Sequence, residues 1–129
     1  MRKKDKTHKD LEFEIAFYEK LLEKDPFFID ALIPLAEDYT RIGEFEKGLK
    51  TDQTLARLEP NNPVIHYNLA CSLSLSGEME TAIHTLERAV ELGYRDFSHM
   101  ERDPDLENLR KTQFYSALKE KIRQKTGQN

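Results

Sequence analysis

The apolar residues of this chain recur at helical spacing over most of its length. Between Pro63 and Asp96 two amphipathic segments flank Gly77. The second presents Met79, Ala82, Ile83, Leu86, Ala89 and Val90 as an i, i+3, i+4, i+7 stripe, and the first presents Leu69, Ala70 and Leu73. Glycine at the junction accommodates a left-handed helix terminus. Upstream, the same spacing predicts a helix over 10–24 with Leu11, Ile15, Tyr18, Leu21 and Leu22 on one face, ended by Asp25-Pro26 because a residue before proline avoids helical angles. Phe13 and Phe17 lie off that stripe, which predicts a second buried side. A helix over 29–42 turns Leu32, Leu35, Ala36, Tyr39 and Ile42 inward, with Asp30 as N-cap and Pro34 near its first turn. Another over 45–58 uses Phe45, Leu49, Leu55, Ala56 and Leu58; Gly48 and Asp52 weaken it. Asn62 caps the next helix with Pro63 as its first residue. Short helices over 96–100 and 103–110 and a last one over 112–125 complete an all-α chain of about seven helices.

The chain repeats itself. A shift of 34 residues sets Leu35 on Leu69, Ala36 on Ala70, Gly43 on Gly77, Glu44 on Glu78, Leu49 on Ile83 and Leu58 on Leu92. One more shift sets Pro26 on Pro60. This period, with a leucine–small pair, a large residue at Tyr39 and Leu73, a turn glycine, a small residue at Gly48 and Ala82, the pair Leu86 and Ala89, and a closing proline, resembles the tetratricopeptide repeat. The departures are Leu32 and His66 in place of the family's tryptophan, Asp52 opposite Leu86, Leu55 where alanine is preferred, and Tyr94 in place of a closing proline.

The resemblance implies a right-handed α-solenoid of antiparallel helix pairs: a half repeat at 10–26, repeats at 29–62 and 63–96, and capping helices at 97–125 similar to a terminal segment that often follows such arrays in bacterial proteins. Residues 1–9 are expected to be a disordered basic tail and 126–129 a second tail.

Composition narrows the function. The net charge is −4, with basic residues gathered at the ends and nine basic against 22 acidic side chains in residues 10–109. An acidic body argues against a nucleic-acid groove, which needs clustered Lys and Arg. No apolar run approaches a membrane span, and the basic start lacks the apolar stretch of a secretory signal. A single cysteine, Cys71, fits a reducing cytoplasm. Cys71 and the four histidines show no metal-ligand or nucleophile–base spacing, and no glycine-rich phosphate loop is present. The chain therefore reads as a non-enzymatic protein with no cofactor and no metal.

In the family, the first helix of each pair lines a concave surface that takes peptides. Carried over, the lining is Ile33, Glu37, Thr40 and Arg41, then Tyr67, Asn68, Cys71, Ser74 and Leu75. Asn68 stands out because an amide donates and accepts at once. The Lys/Arg clamp by which some family members hold a chaperone's C-terminal carboxylate has no counterpart here. The expected function is binding a peptide or helix of a protein partner. The alternative is a structural or self-associating scaffold subunit, a homodimer through the outer face of the first helix with Phe13 and Phe17.

Overall fold

The computed structural model describes residues 5–127. Those residues form eight α-helices and one 3₁₀ turn, without strands: α1 (His8–Lys24), α2 (Ile29–Ile42), α3 (Phe45–Leu58), α4 (Pro63–Leu75), α5 (Met79–Glu91), α6 (Phe97–Arg102), the 3₁₀ turn (Pro104–Leu106), α7 (Glu107–Arg110) and α8 (Gln113–Thr126). None of these helices is long and apolar enough to cross a membrane. The chain divides into two compact units, 1–58 and 59–129.

In the first unit α2 is central, packed on α1 and α3. Gly43, at φ 90°, ends α2. Its N–H bonds the Thr40 carbonyl, and the next N–H, of Glu44, bonds Tyr39. This pair of bonds reverses the chain within two residues and lays α3 back on α2. The crossing is close: a Cβ added to Gly48 would stand 3.0 Å from Thr40 Oγ1 and 3.6 Å from the Ala36 carbonyl. Gly48 thus trades helix propensity for proximity.

The inward stripe of α3 is Gly48, Asp52 and Leu55; Phe45 and Leu58, expected inside, are exposed. On α1 only Leu11 is fully buried. Phe13, Phe17 and Leu21 are 74%, 52% and 36% exposed, so the expected second buried side is an open apolar face. Two cap expectations also change. Helix α2 starts at Ile29 after Phe28, without a side-chain cap, and Asp30 lies in its first turn. Residues 8 and 9, expected in a disordered tail, open α1 behind a capping box in which Thr7 and Asp10 exchange bonds. Residues 1–4 and 128–129 of the expected tails lie outside the described residues.

In the second unit α4 packs on α5, the 3₁₀ turn packs on α4, and α8 packs on α5 and α7. Asn62 caps α4 by accepting from the N–H groups of Val64 and Ile65. Gly77 repeats the Gly43 turn: its N–H bonds Ser74, and that of Glu78 bonds Leu73. Gly93 does the same after α5, with bonds from its own N–H to Val90 and from Tyr94 to Ala89. Ala70, Ala82, Leu86 and Ala89 are fully enclosed, as are Leu106 and Leu109 from the C-terminal segment.

Two buried carboxylates mark the first unit, Asp38 and Asp52. Asp38, on α2, is 1% exposed; Lys6 lies 3.5 Å from its Oδ1 and 2.7 Å from Glu14 Oε1. Its Oδ2 receives no donor. Burial, reinforced by the Glu14 carboxylate, pushes the Asp38 carboxyl up to about 6. A native pKa above the ordinary value means this group's stabilising contribution is complete below about pH 4 and is lost as pH rises through about 6. Asp38→Asn, a neutral isostere, is expected to melt increasingly above the parent as pH is raised from about 5 to about 7.5. Thermal melts at both values check this; a pH-independent difference would contradict it.

Candidate functional site

The expected lining residues separate into those that are accessible and those that are covered. On α2, Ile33 is 40% exposed, Glu37 and Arg41 are exposed and paired at 2.7 Å, and Thr40 is half-buried with its hydroxyl turned toward Gly48. On α4 the picture changes. Asn68 is exposed and Leu75 half-buried, but Tyr67, Cys71 and Ser74 are 3%, 6% and 1% exposed. These three lie at i, i+4 and i+7, and the C-terminal segment covers Tyr67 and Cys71.

What covers them is organised by Asp103. Its backbone is extended, at φ −66° and ψ 116°, and it caps the 3₁₀ turn: Oδ1 accepts the Asp105 N–H at 3.0 Å. Its Oδ2 points to α4, where it accepts the Tyr67 hydroxyl at 2.7 Å and lies 3.7 Å from Cys71 Sγ. His99 Nε2 reaches the same oxygen at 3.1 Å. Arg110 fixes the segment from behind, donating through Nη1 to the carbonyls of Met100 and Asp103 at 2.9 and 2.7 Å. The Tyr67 ring lies flat on Tyr94, with centroids 4.2 Å apart and planes 5° apart. Tyr94, which occupies the place of the closing proline, thus becomes a packing surface for α4.

Burial keeps the two hydroxyls and the thiol of this cluster protonated. Burial, then the neighbouring Cys71 and the bond to Asp103, push the Tyr67 hydroxyl far up, so it remains a donor. Burial and Asp103 push the Cys71 thiol up as well. Tyr94, mainly through burial, is pushed up to about 12. Ligand atoms of Cys71, Asp103 and Asp105 lie within 4.8 Å of one another. Metal binding and nucleophilic attack both require the thiolate, which burial beside a carboxylate disfavours. Both Asp103 oxygens already accept bonds. The arrangement suits a latch between α4 and the C-terminal segment better than a reactive centre.

The short helix expected over 103–110 is present as the 3₁₀ turn and α7, but the sequence assigns Asp103 and Arg110 no further role. The Tyr67 partner of Asp103 lies 36 residues away, and no local pattern encodes it. Val64, 54% exposed, is the other residue missed. It lies one turn before Asn68, and with about 100° per residue Val64, Asn68, Cys71 and Leu75 fall in one row along α4, of which Cys71 is covered and Leu75 half-buried. Of the expected α4 lining, Asn68 is the residue that stays fully open, with Val64 beside it.

No family model matches the chain. A stretch covering 62% of the chain is 31% identical over 83 residues to a chloroplastic protein of Arabidopsis thaliana. The matched stretch is 25% of that relative's length.

The latch gives a direct test. Tyr67→Phe removes only the hydroxyl and leaves a buried carboxylate short of one donor, at an expected cost of about 1.5–3 kcal/mol. Chemical denaturation measures the loss. An unchanged midpoint would show that the bond to Asp103 contributes nothing to holding the segment on α4.

Proposed function

We propose that this chain is a non-enzymatic protein-interaction module of the tetratricopeptide type, taking an extended peptide or a helix of a protein partner along the first helices of its hairpins. The observation that carries this reading is the exposed pair Val64 and Asn68, one turn apart on α4, with half-buried Leu75 further along, beside a face immobilised by the Asp103 latch. An apolar side chain and an amide one turn apart suit a short stretch of chain, because the amide can engage a peptide group while Val64 supplies apolar contact. On α2 the accessible residues are Ile33, Glu37 and Arg41. The 34-residue recurrence supports the repeat reading, since Ala36 and Ala70, Tyr39 and Leu73, and Gly43 and Gly77 hold equivalent burial and turn roles. The right-handed solenoid form and the bacterial-type cap belong to the same proposal, as does a reducing compartment such as the cytoplasm for the free Cys71 thiol. The chloroplast in the relative's name is a property of that relative.

A second reading, a structural subunit without a dedicated ligand, is favoured by the burial of Tyr67 and Cys71 against Asp103 of the C-terminal segment. The two readings diverge at Asn68. Under the binding reading, Asn68→Ala weakens the captured partner by about five- to thirtyfold, corresponding to about 1–2 kcal/mol for hydrogen bonds lost at an interface, while the melting temperature holds. Affinity capture with mass spectrometry, followed by titration of the identified partner against both proteins, measures it. Equal affinity for parent and variant would favour the structural subunit.

A further inference from the structure

Helix α1 carries an apolar face that its own unit does not cover. Phe13, Phe17 and Leu21, at i, i+4 and i+8, are 74%, 52% and 36% exposed, while Leu11 on the opposite side is buried. Two phenylalanines and a leucine in one line, one of them three-quarters exposed, differ from the scattered single apolar residues of an ordinary surface. The flanks of the line are of opposite charge. With residues about 100° apart, Lys9, Lys20 and Lys24 fall on one side of Phe17, all exposed. Asp10 and Glu14 fall on the other; Asp10 also accepts the Thr7 N–H and Glu14 holds Lys6.

We propose that this face is a docking surface for a second copy of the chain, with the two α1 helices side by side and parallel about a two-fold axis running along them. The orientation follows from the charges. A two-fold axis along the helix keeps equal residues level and sets Lys9 of each copy beside Asp10 and Glu14 of the other, with Lys20 about 9 Å further along than Glu14. A two-fold axis across the helix makes the pair antiparallel and sets lysines against lysines and acids against acids. The apolar line is then shared, with Phe17 meeting its symmetry mate at the centre and Phe13 and Leu21 meeting theirs on either side, as a self-complementary surface requires. A single helix face is small beside the standard interface of about 800 Å² per partner, so the dimer is reversible, with a dissociation constant on the order of 10 µM or weaker. The proposal is independent of the α4 row, since no residue of that row lies on α1.

Sedimentation equilibrium of the full chain, from micromolar to near-millimolar concentration, tests association. A reversible monomer–dimer equilibrium is expected, and Phe17→Glu is expected to weaken it about tenfold or more with unchanged helical circular dichroism. Phe13→Ser serves the same purpose should Phe17→Glu lose helicity. Orientation is tested by mild oxidation of Lys24→Cys, with the buried Cys71 left in place: a disulfide between the two copies is expected. A chain that stays monomeric throughout, which would leave the face to another protein's helix, overturns the proposal. So does undiminished dimerisation of Phe17→Glu, or preferential cross-linking of Asp10→Cys with Lys24→Cys across an antiparallel pair.

Discussion

Close approach between paired helices is the constraint on which the structure rests. A helix pair joined by two or three residues must cross where its side chains permit, and here the permitted points are small. Gly48 lies against the Ala36 carbonyl and the Thr40 hydroxyl with no room for a relaxed Cβ. The equivalent positions of the second hairpin, Ala70 and Ala82, have no accessible surface at all. The glycine turns before each second helix deliver the chain to that crossing with the same pair of backbone bonds, at Gly43 and again at Gly77. Once the crossing is made, the larger residues around it close over: Leu35 and Tyr39 in one unit, Leu73, Leu86 and Val90 in the other. Apolar burial supplies most of the stabilisation, and the small residues decide where it is gained.

The second constraint is a single carboxylate. Asp103 begins a 3₁₀ turn with one oxygen and holds α4 with the other, so a local capping interaction and a tertiary contact share one side chain. That economy has a functional consequence. It commits Tyr67 and Cys71 to the interior and leaves Val64 and Asn68 accessible on the first turns of α4, with Leu75 half-buried beyond them. The same helix is therefore both a packing element and the proposed binding surface, divided along its length between two faces. On α1 the division is different: one side is core, and the other is an apolar line flanked by opposite charges with nothing of its own unit upon it.

Much of the helical architecture was legible because it is encoded locally. Asn62-Pro63, Asp25-Pro26, Gly43 and Gly77 announce helix ends through capping and backbone freedom, and the helices stop where those residues stand. The hairpin partners followed from the 34-residue recurrence. Burial was less legible where two amphipathic assignments compete. Phe13 and Phe17 look like core by composition and are exposed, whereas Asp38, Asp52 and Asp103 look like surface and are buried. Hydrophobicity cannot anticipate a buried carboxylate whose donor comes from elsewhere in the chain, as Tyr67 does for Asp103. The expected lining of α4 failed at Tyr67, Cys71 and Ser74 for the same reason: helical spacing places residues on a face but does not say what covers it.

The claim that small residues fix the helix crossings is tested most directly by thermal and chemical denaturation of Ala70→Leu. Ala70 has no exposed surface, so the added side chain must push the helices apart or displace its neighbours. The expected loss is about 1–3 kcal/mol with helical content retained. A stability equal to the parent's would show that the crossing has room to spare, and would contradict the account.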